Sequence, residues 1–408
     1  AILGSVEGTF FFDVTDPTNI VQSDFEFGKF TTGVIHRDYK TYGHYAYAVC
    51  DEGPSSLQIF DLSYLPDSVH KVYDSDALCV RAHDIYIEDG FLYFASNTTT
   101  TGFNALDIAS LADPENPTFV HSLNSPLYSH CHDVHVKNDI AYCSNGNDGL
   151  FIYDVTTKTS PVLLQSFTSY PEQGYNHASW LSDNGNILIF ADETWGKGLK
   201  VYDISDLSNP SLESIFRSNL LNVPNPTSPS GSIAHNPFML GDKVFISYYH
   251  DGVQVYDFSD PANVTNVGYY DTFSNHSDYS SYRGCWGVYP YLPSGNILAS
   301  DFDNGLFVLD GSSVISGIGN GPDESDFSIN AYPNPFNDEM NVSISLKENQ
   351  MVNYQVLDMT GKLIIDEEAE LISGTQKLEI STEGWANGIY LLKVNGENAE
   401  RVQKVQKF

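Results

Sequence analysis

The chain has 408 residues, and its 19 lysines and arginines against 53 aspartates and glutamates give a formal net charge of −34. Such a polyanion repels nucleic acid and anionic membrane surfaces, so neither is an expected partner. No run of 18 apolar residues occurs, so we expect no direct membrane insertion. The acidic excess indicates solubility outside a cell, with cation binding by clustered acidic loops as the alternative.

One short phrase recurs seven times along the first 310 residues, an apolar residue, a variable one, two more apolar residues and an aspartate. Its copies end at Asp13, Asp61, Asp107, Asp154, Asp203, Asp257 and Asp310. Subtracting consecutive aspartate numbers gives periods of 46 to 54 residues. A strand-like repeat of this length is typical of a propeller or a related array, in which each unit stacks on its neighbours.

The fourth repeat predicts the structure of one unit. It contains four strand-like segments separated by turn residues, 132–136, 140–144, 150–155 and 162–167. Four antiparallel strands form the blade of a β-propeller. The sequence therefore predicts an all-β, seven-bladed propeller, with six blades as the alternative. The first unit lacks an innermost strand and the last an outermost one, and we expect residues before Ala1 to supply them.

The repeated aspartates and the cysteines have structural interpretations. Each aspartate comes just before a connector rich in proline, serine or asparagine, so we expect these carboxylates to serve turns. Five cysteines occur and none forms a CxxC pair, which argues against zinc-ribbon and thioredoxin sites. In an oxidising location Cys131 could bridge to Cys143, and Cys50 to Cys79, if the geometry allows it.

Several units begin their first strand with histidine, and these side chains surround one mouth of the predicted central channel. The candidate ligands of a divalent metal are His83, His132, His177 and His235, with His36 nearby. Imidazole suits zinc, copper or iron, especially beside carboxylates such as Asp38, Asp84 and Asp133. The structural alternative is a repeated His–Asp hydrogen bond that fixes the start of each strand. No catalytic motif occurs, so we predict no catalytic residue and no enzyme activity.

The starts of the units, Ala82-His83-Asp84, Cys131-His132-Asp133 and Cys285-Trp286-Gly287 among them, resemble the LVIVD-repeat propellers called choice-of-anchor B proteins. The resemblance covers roughly residues 1–311. It implies a propeller at the cell surface. It implies no particular chemistry. Where that family usually has tryptophan before the arginine and aspartate of its second blade, this chain has His36.

The remainder of the chain predicts a second domain. Residues 312–326 are rich in glycine, serine and aspartate and indicate a linker. Six short alternating segments follow within residues 327–408, at 341–346, 353–358, 362–366, 376–380, 389–394 and 401–406. This pattern predicts a small Ig-like β-sandwich.

Four ordered motifs occur in residues 327–408, and they contain Tyr332, Pro333, Asn334, Pro335, Gly361, Gly388, Tyr390, Val402, Lys404, Val405, Lys407 and Phe408. These motifs resemble a type A C-terminal sorting domain of the Bacteroidota type IX secretion system. The resemblance implies export across the outer membrane to the cell surface or the exterior. It implies handling by the type IX translocon, and we expect an outer-membrane β-barrel shuttle to contact residues 402–408.

The sequence therefore predicts an exported propeller that acts as a binding or adhesion module, with a C-terminal domain that directs its secretion. The alternative function is a metal-dependent hydrolase or lyase that uses the histidine-lined mouth. The cofactor is unknown, and a divalent metal is the candidate.

Overall fold

A computed structural model describes residues 1–218, 232–273, 282–315, 327–332, 336–346, 349–358, 362–396 and 400–407. The chain folds into two compact units. The first is Ala1–Tyr291 with Gly295–Ile318, and the second is Leu292–Ser294 with Gly319–Phe408. No helix among the described residues is long and apolar enough to cross a membrane.

Seven antiparallel sheets make up the described part of the first unit, and five of them have four strands. Sheet I contains β1 (Ile2–Gly4), β2 (Gly8–Asp13) and β3 (Val21–Phe27). Sheet II contains β4 (Arg37–Tyr42), β5 (Tyr45–Cys50), β6 (Leu57–Asp61) and β7 (His70–Ser75). Sheet III contains β8 (Asp84–Glu88), β9 (Phe91–Thr99), β10 (Gly102–Ser110) and β11 (Thr118–Leu123).

The next sheets repeat this order. Sheet IV contains β12 (Asp133–Lys137), β13 (Ile140–Ser144), β14 (Leu150–Asp154) and β15 (Val162–Phe167). Sheet V contains β16 (Asn176–Leu181), β17 (Ile187–Asp192), β18 (Leu199–Asp203) and β19 (Ser211–Phe216). Sheet VI contains β20 (Pro237–Leu240), β21 (Lys243–Ser247), β22 (Val253–Asp257) and β23 (Thr265–Tyr270). Sheet VII contains β24 (Cys285–Tyr289), β25 (Asn296–Asp301) and β26 (Gly305–Asp310), and α1 (Ser312–Ile315) follows.

Each sheet pairs its strands in chain order, so every connection inside a unit is a hairpin. The strands β4, β8, β12, β16 and β20 each contact the next in this series, which makes them the innermost strands. Within the described residues sheet I has no innermost strand and sheet VII no outermost one, as the sequence predicts. Each sheet of the first unit is therefore one predicted four-stranded repeat, and sheets I and VII each lack one strand among the described residues.

Apolar clusters join each sheet to the next rather than filling a single centre. Phe11 of sheet I packs with Phe60 of sheet II, and Tyr93 of sheet III packs with Phe151 of sheet IV. Further clusters join the remaining consecutive sheets from II to VII. Burial between neighbours supplies the main favourable free energy of such an array, since one sheet alone leaves both faces in water.

The third copy of the repeated phrase is offset by three residues from its sequence assignment. In sheet II the pairing of β6 with β7 has a bulge between Ile59 and Phe60, the third and fourth residues of the phrase. In sheet III the corresponding bulge falls between Ile108 and Ala109, so the equivalent phrase is Leu106–Ser110. Ser110, and not Asp107, therefore occupies the terminal position of the phrase. Asp107 is buried and accepts hydrogen bonds from Asn97 (2.7 Å) and Asn104 (3.1 Å).

The other six phrase aspartates serve turns, as predicted. In each, a side-chain oxygen accepts a hydrogen bond from the backbone N–H two residues later, at Thr15, Ser63, Thr156, Ser205, Ser259 and Ser312. This bond mimics a backbone turn and fixes the exit from the third strand. The five cysteines are buried free thiols, so neither candidate disulfide forms in this structure.

The second unit contains the six predicted strands and one more at its start. Its strands are β27 (Phe327–Tyr332), β28 (Glu339–Leu346), β29 (Gln350–Asp358), β30 (Leu363–Leu371), β31 (Gly374–Ser381), β32 (Gly388–Asn395) and β33 (Glu400–Lys407). They form two sheets, ordered β27-β28-β31 and β30-β29-β32-β33. Both sheets contribute to one apolar core, in which Val342 and Val356 are fully buried. The strand β33 lies at an edge.

Candidate functional site

Six side chains at the starts of the innermost strands contact one another in a closed circuit. Each residue lies within two residues of the first residue of its innermost strand. The circuit has these ring-centroid distances: His36–His83 4.5 Å, His83–His132 3.8 Å, His132–His177 4.4 Å, His177–His235 4.3 Å, His235–Trp286 4.5 Å and Trp286–His36 5.4 Å. The structure therefore brings the four predicted ligands together, and it adds His36 and Trp286 to them. We call this set the histidine circuit.

Two groups within the histidine circuit have metal-ligand spacing. His83, His132 and His177 each offer one nitrogen, and these nitrogens lie within 4.8 Å of one another. His177 and His235 form a second group with a carboxylate oxygen of Glu193. His177 belongs to both groups, so it is the central residue of the candidate site.

Hydrogen bonds orient two of these imidazoles. The Nδ1 atom of His235 lies 2.6 Å from the carbonyl oxygen of Trp286, which can only accept, so Nδ1 carries the proton. The Nδ1 atom of His83 lies 2.9 Å from a carboxylate oxygen of Asp51. In the neutral ring, each partner leaves Nε2 as the atom with the free lone pair. Histidine ligands of metals are held by such partners, which fix the tautomer and the ring orientation.

Burial keeps most of the histidine circuit neutral. It lowers the pKa of His36 to about 4 and that of His235 to about 3. Burial and the neighbouring imidazoles lower the pKa of His132 and His177 well below the ordinary value. A neutral imidazole is the form that binds a metal, so these residues need no deprotonation at neutral pH.

His83 differs from the other members because it has an acidic partner. Burial lowers its pKa, but the hydrogen bond and the charge of Asp51 outweigh burial, so the pKa of His83 is raised. Burial raises the pKa of Glu193, and its carboxylate accepts a hydrogen bond from the Tyr249 hydroxyl at 2.5 Å. Asp51 and Glu193 are the two acids that face the histidine circuit most directly. Neither belongs to a repeated motif, so sequence analysis missed both.

The aspartates that follow the histidines have a different structural role from the predicted one. Asp38 accepts a hydrogen bond from the backbone N–H of Ile85 (3.1 Å), and Asp84 accepts one from Val134 (3.0 Å). Each carboxylate thus holds the start of the next innermost strand. The predicted His–Asp bond within each pair is replaced by this bond between neighbouring sheets.

A lysine, Lys40, lies among these carboxylates. The Lys40 ammonium lies 2.8 Å from Asp38 and 3.4 Å from Asp84. Burial raises the pKa of Asp84 well above its usual range, and it raises that of Asp133 to about 7. Lys40 and these three acids form a layer that we call the ionic layer. It lies along the innermost strands, next to the histidine circuit in sequence.

Ten of the twelve predicted sorting residues divide into three groups. Pro333, Asn334, Pro335, Gly361 and Phe408 lie outside the described residues. Tyr332, Val402 and Lys404 lie on strands β27 and β33. Gly388 begins β32 with φ of +154°, in which the absence of a side chain removes strain, and Tyr390 donates a hydrogen bond to the carbonyl of Ala386 at 2.7 Å.

Val405 and Lys407 are buried within their own domain. Val405 has no exposed surface, and only 6% of Lys407 is exposed. The side-chain ammonium of Lys407 donates a hydrogen bond to the carbonyl oxygen of Asn337. The backbone of Lys407 forms a parallel bridge with that of Phe336. Val405 therefore packs in the domain core, and its side chain offers no exposed apolar surface to the shuttle expected at residues 402–408.

Family models match both parts of the chain. The LVIVD repeat matches residues 130–169 and 185–217, and the secretion system C-terminal sorting domain matches residues 330–407. The chain carries LVIVD repeats and a type IX sorting domain. Its sorting domain indicates export across the outer membrane to the cell surface or the extracellular space. No curated protein is similar enough to this chain to count as a match.

Solved structures support the propeller fold. A functionally unknown protein from Desulfotomaculum acetoxidans is 11% identical with a TM-score of 0.53, and the match covers 91% of this chain and 98% of that one. The periplasmic gluconolactonase of Pseudomonas aeruginosa is 10% identical, with a TM-score of 0.53 and coverage of 93% and 98%. The β-propeller domain of Myceliophteria thermophila Cps50 (Swd1) is 11% identical, with a TM-score of 0.51 and coverage of 76% and 92%. The first unit is a β-propeller.

Proposed function

We propose that this exported propeller is a binding module that holds one divalent transition-metal ion in the histidine circuit. The observation that carries the proposal is the pair of oriented imidazoles, His83 and His235, on either side of the doubly shared His177. A donor set of several imidazoles and one carboxylate suits zinc or copper better than calcium or magnesium. A metal held in this way would serve as the attachment point for a ligand outside the cell.

The spacing of the donors fits a metal after small movements. Nitrogens around a tetrahedral zinc ion lie about 3.4 Å apart, given Zn–N bonds of about 2.0–2.1 Å. The nitrogens of His83, His132 and His177 lie within 4.8 Å of one another. Side-chain rotations that move these nitrogens by about 1 Å would bring them to the spacing around a zinc ion. Asp51 and Glu193 supply two carboxylates near the ion, which would offset its charge.

Metal analysis of the full chain tests this proposal. After incubation with zinc and dialysis, the chain should retain about one zinc ion, and zinc at a hundred times its Kd should stabilise the fold by about 3 kcal/mol. His177→Gln should lose both effects because it removes the shared ligand. His44→Gln is the matched control, since His44 is 44% exposed and lies outside the histidine circuit. Zinc retention by His177→Gln equal to that of the natural chain would contradict the proposal.

We infer that six innermost strands enclose the channel and that sheet I is a seventh, incomplete blade. Support comes from the histidine circuit, whose six members belong to sheets II to VII, and from the cluster that packs sheet I on sheet II. This is the six-bladed alternative, with sheet I as an additional partial blade. The domain bounds 1–311, 312–326 and 327–408, and the Ig-like form of the last domain, stay predictions. The enzyme alternative also stays a prediction.

We propose that an outer-membrane β-barrel shuttle of the type IX translocon pairs with the edge strand β33. The strand β33 is the last strand of its sheet, and an edge strand is where a partner's strand adds by backbone hydrogen bonds. Deletion of Lys404–Phe408 should trap a folded propeller in the periplasm. Protease accessibility on intact cells measures this, and Met351→Ala, at an exposed position of the same domain, should be displayed normally.

A further inference from the structure

The end of the channel opposite the histidine circuit contains a cavity of about 290 Å³. It lies where the innermost strands β8, β12, β16 and β20 end, and Tyr291 completes its wall. Pockets for small ligands start at about 300 Å³, so this volume suits one small ring system. No residue of the histidine circuit or of the candidate metal site lines this cavity.

Aromatic rings surround Trp180 in this cavity. The Trp180 ring lies 4.2 Å from that of His135 and 6.2 Å from that of Tyr291, which is nearly parallel to it. Phe238 packs against Trp180 at 4.7 Å, and Tyr86 meets it edge-on at 6.1 Å. Trp180 is only partly buried. The neighbours therefore hold its ring rigidly while part of its surface stays accessible from the cavity.

His135 supplies a hydrogen-bonding group without a protein partner. It is 3% exposed, and both of its ring nitrogens lack a partner among the described residues. Burial lowers its pKa to about 3, so the ring is neutral and offers one donor and one acceptor. A buried polar group is costly to leave unpaired, so this ring indicates a ligand with hydroxyl-like groups.

Two of the three charged side chains that line the cavity, Lys137 and Glu88, are engaged with the backbone. Lys137 donates to the carbonyl oxygens of Ser182 (2.8 Å) and Asp183 (3.1 Å). Glu88 accepts hydrogen bonds from the backbone N–H groups of Asn138 (2.5 Å) and Asp139 (3.1 Å). With Lys137 and Glu88 held in this way, the remaining charged side chain of the lining is Asp183, which is exposed to solvent and therefore screened by water. This arrangement favours a neutral ligand.

We propose that this cavity binds a neutral saccharide, with a pyranose ring stacked on Trp180 and a hydroxyl hydrogen-bonded to His135. The C–H groups on one face of a pyranose are apolar and pack on an aromatic face, whereas its hydroxyls need both donors and acceptors. The cavity offers both kinds of contact side by side. The inference does not depend on the proposed metal site, because the two sets of residues do not overlap.

The test titrates the full chain with the methyl glycosides of glucose, galactose, mannose and N-acetylglucosamine. Saturation-transfer NMR detects weak binding, and quenching of tryptophan fluorescence gives the Kd. We expect binding of at least one of these glycosides, unchanged by EDTA. Trp180→Ala and His135→Phe should each weaken it by more than about tenfold. Trp195→Ala is the matched control and should bind normally, since Trp195 does not line the cavity.

Three results would overturn the proposal. The first is no binding of any of the four glycosides by the natural chain. The second is equal binding by Trp180→Phe, Trp180→Ala and the natural chain, with all three folded by circular dichroism. The third is preferential binding of tetramethylammonium, the probe for a cation held by the aromatic rings, because the cavity would then recognise charge.

Discussion

The two ends of the propeller channel differ although the same innermost strands form both. At one end the strands begin with imidazoles that contact one another and have oriented partners, such as His235 with the Trp286 carbonyl. At the other end they finish with aromatic rings, and the single imidazole there, His135, has no partner among the described residues. The repeated backbone thus determines where side chains meet at each end of the channel. The residue types at those positions determine the chemistry of each end.

The ionic layer belongs to the same strands and holds their starts together. Asp38 and Asp84 bond the backbone of the next strand, and Lys40 is the cation beside both. Burying carboxylates without a cation is expensive, because charge is poorly solvated inside a protein.

Lys40→Met should have the largest effect on stability. It removes the cation beside the buried Asp84 and the partly buried Asp38. Breaking a fully buried pair costs about 3–5 kcal/mol, and partial exposure of Lys40 and Asp38 reduces the expected loss to about 2–3 kcal/mol. Urea denaturation at neutral pH measures the loss. Lys29→Met is the control, because Lys29 and Asp76 are both more than a third exposed, and such a pair contributes less than about 1 kcal/mol. Equal losses in the two variants would mean that the ionic layer has no special role.

Acidification should destabilise the fold at both ends of the channel, because each end contains a buried imidazole that becomes charged. His135 and His235 have folded-state pKa values of about 3, whereas an unfolded histidine titrates near 6.5. Their contribution to the free energy of unfolding is greatest above pH 6.5 and is lost progressively as the pH falls towards 3. At pH 5 each histidine accounts for about 2 kcal/mol of loss. His135→Phe should therefore lose about 2 kcal/mol less than the natural chain between pH 7.5 and pH 5 in EDTA.

Asp133 provides a control of opposite sign. Its folded-state pKa of about 7 lies above that of an unfolded aspartate, so its contribution is present at low pH and is lost as pH rises through 7. Asp133→Asn should then lose more stability on acidification than the natural chain does. If both variants changed with pH as the natural chain does, burial would not be controlling these protonation states.

Sequence reasoning reached the histidine circuit because its members recur at the same point of successive units. The repeat predicts that His83, His132, His177 and His235 converge, and the structure brings these four side chains together. It misplaced the third phrase because residues 103–107 imitate the pattern three residues before the true one, Leu106–Ser110. Pattern alone cannot distinguish two such registers, whereas the pairing of β10 with β11 does.

The aromatic end had no comparable signal. Tyr86, His135, Trp180 and Tyr291 differ in type from unit to unit, so no repeat marks them, and only the ends of the folded strands bring them together. Glu193 likewise follows an ordinary strand. In the sorting domain the strands were predicted closely, but the burial of Val405 depends on packing between two sheets. Convergence of unlike residues requires the fold itself.

The smallest expected effect compares the two ends by one substitution, histidine to phenylalanine. At His235 the change removes the donor to the Trp286 carbonyl, and an acceptor left unpaired in the interior outweighs the gain from a more apolar ring. We expect a loss of about 1 kcal/mol at pH 7.5 in EDTA. At His135 no protein bond is lost, and an unpaired polar group is replaced by an apolar ring of similar shape, so stability should be unchanged or slightly higher. Equilibrium denaturation of both variants measures the difference, and a larger loss at His135 would mean that its imidazole has a partner that keeps it in place.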